Sequence, residues 1–568
     1  MARTVGIGIQ SFEEIREYEC FYVDKTDFIK SWWESRDKVT LIARPRRFGK
    51  TLNMSMLECF FSVKYAGRGD LFEGLSVWQE KEYKKLQGSY PVIFISFANI
   101  KEPDYEKTAY RICQILMKEY EKNSFIINSN ILSPGEQEYF DKMRYAMDEL
   151  NAPMALYQLC DYLERYYGKK VILLLDEYDT PLQEAWVHGY WDEMISFIRS
   201  LFNSTFKTNP YLERAIMTGI TRVSRESVFS DLNHLRVVTA TSDKYATDFG
   251  FTEKEVFAAL EECGRGDKKE KVKKWYDGFI FGSHADIYNP WSIINFLAEG
   301  QFKAYWVNTS SNGLAGKLIR EGNTEIKEKF SKLLMGEVLV TPIDEQIVYN
   351  QLRGNEKAIW SLLVAAGYLK VLKAEEYEED EEELCMEPDY HLALTNREIK
   401  IAFHNLVRSW FDDTEGNYNG FVKSMLQGDV KAMNVYMNRV IRDVFSYFDT
   451  GGKEPERFYH GFTLGLMVEL QREYILTSNR ESGFGRYDVM LEPKKGSERD
   501  AIILEFKVQD EEEEDSLKDT VTAALKQIEE KEYAASLVAR GIAQERIRSY
   551  GIAFCGKEVL IGRGLTTE

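Results

Sequence analysis

Residues 39–52, VTLIARPRRFGKTL, leave the chain few ways to fold around them. Residues 39–42 read as a buried strand, a tight loop follows, and Gly49-Lys50-Thr51 opens a helix. Strand, loop and helix in that order make a phosphate-binding loop, because the loop amides and the helix N-terminus point N–H groups at phosphate oxygens. Arg47, Phe48, Gly49, Lys50, Thr51 and Leu52 are expected around the phosphates of ATP. Lys50 is placed to reach the β- and γ-phosphates and the Thr51 hydroxyl to hold Mg²⁺. Gly49 turns beside the ligand without a Cβ. The usual pattern, G-x-x-x-x-G-K-[ST], opens on a glycine; Arg44 stands there, or Ala43 if the loop is one residue longer.

Residues 171–177, VILLLDE, form a continuous apolar run ending in two acids. Such a run suits a strand buried on both faces of a parallel sheet, with Asp176 and Glu177 at the C-terminal end where ligands bind. Asp176 is expected to hold Mg²⁺ through water, and Glu177 to polarise the attacking water. Strands at 91–97 and 214–220 supply neighbours, so four parallel strands with intervening helices predict a doubly wound P-loop NTPase. After the last of them come Thr218, Thr221, Arg222 and Arg225. A polar residue there can sense the γ-phosphate and an arginine can stabilise charge in phosphoryl transfer; the alternative is a pair of surface loop arginines.

With 568 residues the chain exceeds one hydrophobic core. Four parts are expected: 1–250, the P-loop domain; 251–345, a helical lid or winged-helix-like domain; 346–454, a helical or winged-helix-like linker; and 455–568. A net charge of −19 excludes a surface coated for nucleic acid, while leaving room for a local basic groove. Acidic runs at 375–383 and 510–515 read as solvated loops. Seven scattered cysteines without a C-x-x-C pair point to a reduced protein without zinc. MARTVGIGIQ has no apolar core of a signal peptide and no run reaches a membrane span, so a cytoplasmic protein without membrane contact is expected.

Between 251 and 297 helices at 253–263 and 267–275 lead into WYDGF (275–279) and IYNPWSIINFL (287–297), with Asn289 capping a helix that starts at Pro290. This aromatic-rich stretch reads as a small helical core. Residues 357–366, 368–373, 390–394 and 397–411 give helix, hairpin and helix, an order compatible with a winged helix.

The second cluster of chemistry lies at 455–568. A helix over 457–473, strands at 474–478, 486–491 and 501–508, a helix over 516–538 and two further strands are expected. Glu505 and Lys507 are two apart on a strand and share a face. Asp488, on a preceding antiparallel strand, is expected beside Glu505. Two carboxylates and a lysine on one face suit Mg²⁺ or Mn²⁺ and a phosphodiester substrate. Gln527 and Lys531, at i and i+4 of the next helix, are expected to back the site. Glu469 is expected as a third metal ligand, with His460 as its rival. Arg480, Arg486, Lys494, Lys495, Arg499 and Lys507 offer a basic groove for nucleic acid.

With both clusters in view, the chain resembles bacterial proteins that pair an AAA-ATPase-like N-terminal domain with a PD-(D/E)XK nuclease domain. The resemblance rests on YVDKT (22–26), RPRRFGKT (44–51), LLLDEYDTPL (173–182), TGITRVS (218–224), WYDGF, YNPWS (288–292), YHGFTLGL (459–466), SNRESGFGRYD (478–488) and EFK (505–507). It implies an α/β architecture: an ASCE-type P-loop NTPase sheet, a helical or winged-helix-like middle, and a restriction-endonuclease-like C-terminal domain. Lys50, Thr51, Asp176 and Glu177 take the nucleotide roles by this resemblance, and Asp488, Glu505 and Lys507 the nuclease roles. Tyr487 stands where the superfamily's proline would precede the first acid. The expected activity is ATP-regulated, metal-dependent cleavage of nucleic acid, DNA before RNA, in genome defence or mobile-element biology, with homo-oligomerisation open. Two other readings remain: a nucleotide-switched binding module without cleavage, and an ATPase whose C-terminal domain is structural.

Overall fold

Five strands set the N-terminal site: β1 (Val39–Ala43), β2 (Val92–Ser96), β3 (Val171–Asp176), β4 (Leu212–Gly219) and β5 (Leu235–Val238). The computed structural model describes residues 3–222, 229, 232–306, 313–344, 349–352, 355–375, 388–409, 415–444, 461–463, 465–466, 468–471, 473–482, 485–510, 514–556 and 558–564. The chain forms two compact units, residues 1–318 with 336–400, and residues 319–335 with 401–568.

In the first unit the sheet order is β2-β3-β4-β1-β5 and every pairing is parallel. β1 and β3 are buried along their whole length, as their apolar runs require. β4 lies between them, which is the ASCE arrangement. Its register aligns Ile42 with Thr218 and Ala43 with Gly219, so the loop after β1, the acids after β3 and the polar end of β4 share one rim. β5 was not expected. Its four residues, LRVV, are mostly half-buried or exposed and carry an arginine, so no apolar run marks it. The helix Lys50–Phe61 follows the loop directly and is buried on several sides. Phe12, Tyr22, Phe28 and Trp32 from the N-terminal segment join the same core as Met56, Leu57 and Phe60.

Residues 251–306 differ from the helical core expected. Helices Glu253–Glu262, Lys269–Tyr276 and Pro290–Glu299 are present, but they frame an antiparallel sheet of β6 (Phe251–Thr252), β7 (Asp277–Phe281) and β8 (His284–Tyr288), ordered β6-β8-β7. WYDGF therefore runs from a helix into β7. Gly278 has φ +134° and a Cβ there would lie 2.0 Å from the Thr395 carbonyl oxygen, so the strand approaches too closely for any side chain. Asn289 caps the helix as expected, accepting from the Trp291 and Ser292 amides at 2.9 and 3.4 Å. Further on, β9 (Leu339–Pro342), β10 (Leu369–Ala374) and β11 (Asp389–Leu394) form a three-stranded sheet in which β10 and β11 are the expected antiparallel pair.

The second unit is built on β12 (Tyr474–Ser482), β13 (Gly485–Pro493), β14 (Ala501–Val508), β15 (Ile547–Cys555) and β16 (Glu558–Arg563). Neighbours follow chain order; all pairs are antiparallel except β14 with β15, which the helix Leu517–Glu530 connects as a crossover. One face carries Met490, Ala501 and Ile503 against Ile528, Tyr533 and Leu537. The edge strand β16 is closed by a helix rather than a strand. Asn434 and Asn438 of the helix Val430–Val444 each exchange a pair of hydrogen bonds with the backbone of Ile561 and Val559, at 2.8–3.1 Å. Four residues along a helix and two along a strand both span roughly 6 Å, which lets one side meet the other and blunts an edge open to aggregation.

Candidate active sites

At the first site, the phosphate loop takes left-handed backbone at Arg47 (φ 65°) and Gly49 (φ 77°). Lys50 is 3% exposed, and its Nζ donates to the carbonyls of Arg44 and Pro45, both at 3.1 Å. The same Nζ lies 3.8 Å from Glu177 Oε1. Thr51 Oγ1 donates to Asp176 Oδ2 at 2.8 Å, and Thr218 Oγ1 donates to Asp176 Oδ1 at 2.6 Å. Asp176 is fully buried, and burial holds its carboxyl above the usual carboxylate range. A buried acid in contact with the loop hydroxyl fits a Mg²⁺ site, because a cation there would restore the charged form that burial disfavours. Lys50, Thr51, Asp176, Glu177 and Thr218 are thus brought together as expected.

Arg44 explains the missing glycine. Its side chain turns back into the core, fully buried, and its guanidinium donates to the Thr239 carbonyl and to Ala43 O at 3.3 Å. The guanidinium carbon also sits 4.4 Å from the Phe281 ring centre. Burial pulls the guanidinium down to about 9. Arg44 therefore staples the start of the loop to β5 and β7. Arg44→Gly, which restores the usual pattern, is expected to lower stability by about 3 kcal/mol through the cavity and the orphaned carbonyl. Urea unfolding measures this; an unchanged midpoint would show the staple to be idle.

The other side of the loop rests on 251–306. Phe48 packs edge-on against Phe279 and Phe281, with ring centres 4.7 and 5.4 Å apart. Trp306 Nε1 and Asn289 Nδ2 donate to the Arg46 carbonyl at 3.0 and 3.3 Å, and the Arg47 guanidinium lies 4.4 Å over Trp291. WYDGF and YNPWS are therefore the seat of the phosphate loop. Leu52, the remaining loop residue, packs partly buried against the N-terminal core. Arg222 lines a cavity of about 30 Å³ with Ala43, Thr239, Thr241, Asp344 and Ser361. Arg225 lies outside the described residues.

At the second site, the β13–β14 register pairs Val489 with Leu504, which sets Asp488 beside Glu505 as expected. Asp488 Oδ2 accepts the Phe506 amide at 2.7 Å. Glu505 is 3% exposed; Gln527 Nε2 donates to its Oε1, while its Oε2 has no hydrogen-bond partner among the described residues. Burial and then the neighbouring Asp488 push the Glu505 carboxyl up to about 8, against the pull of Lys507. An orphaned buried carboxylate oxygen beside a second acid is the signature of a place for a cation, so the residues fit Mg²⁺ or Mn²⁺.

The supporting residues differ from expectation. The helix ends at Glu530 and the turn after it, with Glu532 at φ 50°, brings Tyr533 rather than Lys531 to Gln527. Gln527 Nε2 donates to Tyr533 Oη at 3.0 Å, and Lys531 is exposed. Glu469 is held by Arg408 Nε at 2.6 Å instead of joining the two acids. Among the described residues the sole cluster of three acids with ligand atoms within 4.8 Å of one another is Glu253, Asp277 and Asp286, where Lys273 already pairs with Asp286 at 3.5 Å. Lys494, Lys495 and Arg499 sit in the turn between β13 and β14, roughly 20 Å along the strand from Asp488. There Lys494 donates to Gln471 O at 2.7 Å and Arg499 pairs with Glu473 at 2.8 Å. His460 and the side chains of Arg480 and Arg486 lie outside the described residues.

Comparison with known proteins agrees with both geometries. Residues 6–229 match the family model of predicted AAA-ATPases, and residues 454–564 match that of the PD-(D/E)XK nuclease superfamily. The chain joins an AAA-ATPase-like segment to a PD-(D/E)XK nuclease-superfamily segment. It is also 26% identical over 404 residues, 71% of this chain and 69% of the other, to a protein of Azotobacter chroococcum mcd 1 described as "uncharacterized protein in vnfD 5'region". Among the described residues no helix is long and apolar enough to cross a membrane.

Proposed function

We propose that this AAA-ATPase-like and nuclease-superfamily chain is an ATP-regulated, metal-dependent nuclease of the cytoplasm that cleaves DNA phosphodiesters, with a role in genome defence or mobile-element biology. The observation that carries the reading is the Glu505 Oε2 beside Asp488, without a partner among the described residues, on the face that also bears Lys507. Asp488 and Glu505 would hold Mg²⁺ or Mn²⁺, which when bound supplies Lewis acidity at a phosphate oxygen and a water of lowered pKa. The Phe506 amide fixes Asp488, and Gln527, itself tied to Tyr533, fixes Glu505. Lys507, two residues along β14, orients the attacking water and offsets negative charge that grows on the phosphate. In the N-terminal site Lys50 and Thr51 would hold the triphosphate and its Mg²⁺ with Asp176, and Glu177 would accept a proton from the water that attacks the γ-phosphate.

The test is cleavage of plasmid and of linear single-stranded DNA, with Mg²⁺ or Mn²⁺ and with or without ATP. Wild type is expected to cut with metal, and Glu505→Ala not to. Absence of cutting of DNA under every condition would overturn the reading.

A further inference from the structure

Residues 176–179, Asp-Glu-Tyr-Asp, are tied one by one to the end of β4. Asp176 accepts from Thr218 Oγ1 at 2.6 Å. The Glu177 amide donates to Thr218 Oγ1 at 3.3 Å and the Tyr178 amide to Thr218 O at 2.9 Å. Tyr178 Oη donates to the Thr221 carbonyl at 2.9 Å. Asp179 closes the set. Its Oδ2 accepts the Ile220 amide at 3.0 Å, the Thr221 amide at 3.0 Å and the Thr221 hydroxyl at 2.9 Å. Gln183 Nε2 donates to the same oxygen at 3.0 Å, and Gln183 Oε1 accepts from Arg46 of the phosphate loop at 3.3 Å. The two segments are so close that a Cβ on Gly219 would lie 2.7 Å from the Tyr178 ring and 2.8 Å from Asp179 Oδ1.

Inside this clamp Glu177 has φ 54°, a left-handed conformation that a glutamate adopts at a cost of about 1 kcal/mol. Its carboxylate accepts from Thr180 Oγ1 at 3.3 Å and lies 3.8 Å from Lys50 Nζ, and its amide is held by Thr218, so its surroundings impose the conformation. Asp179 stands at the N-cap position of the helix Thr180–His188 yet makes no capping bond. Its carboxylate is fully buried and directed across to β4 instead. A buried anion with four donors on one oxygen is a strong fastener, since each charge-assisted bond exceeds a neutral one.

The geometry points to Asp179 as the positioning residue of nucleotide hydrolysis: it clamps the end of β4 against the turn after β3 and thereby holds Glu177 in its left-handed conformation. This rests on the ATPase reading. Asp179 acts through Glu177, its carboxylate being turned to the Ile220 and Thr221 amides. Without it the Ile220 and Thr221 amides lose their acceptor, the turn relaxes towards negative φ, and the Glu177 carboxylate swings away from the γ-phosphate. Binding of the triphosphate depends on Lys50, Thr51 and the loop amides, and stays as it was.

The experiment measures phosphate release from ATP and the affinity for a fluorescent N-methylanthraniloyl ATP in the full chain. Asp179→Ala is expected to lower kcat by about 30-fold with affinity changed by less than about twofold. Asp179→Asn keeps an acceptor oxygen in place and is expected to retain most of the rate. In the double variant Asp179→Ala/Glu177→Gln, turnover is expected to match Glu177→Gln alone, because residues that act as one unit are not additive. Thr221→Val removes one of the four donors without removing the buried charge, and is expected to slow turnover by about fivefold at unchanged affinity; it decides the matter if Asp179→Ala does not fold. Normal turnover in Asp179→Ala or in Thr221→Val, a parallel loss of affinity, or an additive loss in the double variant would overturn the inference. A wild-type chain that binds the probe but releases no phosphate would instead remove the ATPase reading, and this inference with it.

Discussion

Freed of divalent cations, the protein is expected to lose stability as the pH rises from about 4.5 to about 8, and Glu505→Gln is expected to reduce that loss, the rest belonging to other buried acids such as Asp277 and Asp248. The carboxyl of Glu505 is pushed up to about 8, first by burial and then by Asp488, with Lys507 opposing. The folded chain therefore holds this proton more tightly than the unfolded chain does. Its contribution to stability is full below the unfolded value near 4.5 and is lost as the pH climbs through about 8. A divalent cation competes with the proton for the same oxygens. At pH 8.5 Mg²⁺ is thus expected to raise Tm more in wild type than in Glu505→Gln. The same substitution removes a ligand charge from the reacting centre, and cleavage is expected to fall about 1,000-fold, equivalent to about 4 kcal/mol of barrier. Thermal melts in EDTA from pH 4.5 to 9, repeated with Mg²⁺, check the first part; matching profiles for the two proteins would show that Glu505 is not the titrating group.

Much of this geometry was legible in the chain because its signals are local. An apolar run that ends in acids suits a buried strand with its acids on the rim, so β3, Asp176 and Glu177 were read from residues 171–177. Period-two alternation placed Glu505 and Lys507 together, and an antiparallel neighbour placed Asp488 beside them. What stayed hidden depends on contacts distant in sequence. The role of Asp179 is one such case: it stands at the N-cap position of a helix, and only the end of β4 shows where its carboxylate goes. Tyr533 lies in a stretch with good helical propensity, and the break after Glu530 that turns it towards Gln527 is set by packing. The aromatics of WYDGF and YNPWS announced a core but not its partner, the phosphate loop at Phe48 and Arg47. The leading residue of that loop deceived for a related reason. A glycine is needed there only where the backbone alone must fill the space, and Arg44 fills it with a side chain anchored on Phe281 and Thr239.

The loop's own lysine carries the second large effect. Lys50→Ala is expected to reduce ATP turnover about 1,000-fold, the scale of losing a charge aimed at the transferring phosphoryl group. Lys50 Nζ already lies between the Arg44 and Pro45 carbonyls and near Glu177, in a site only 3% exposed. Lys50→Arg is expected to fail as well, because a planar guanidinium does not fit the pocket that holds a compact ammonium. The loss of two carbonyl partners costs stability too, by about 1 kcal/mol, so melts must accompany the kinetics. The informative comparison is with DNA cleavage. If ATP regulates the nuclease, Lys50→Ala retains metal-dependent cutting but loses every difference between reactions with and without ATP. If cutting in wild type is already indifferent to ATP, the two sites serve separate tasks. Wild-type turnover by Lys50→Ala would mean that the loop between β1 and the helix Lys50–Phe61 does not hold the reacting phosphate. The seat built by Phe279, Trp291 and Trp306 would then support a loop with another purpose, and the clamp around Glu177 would have no water to place.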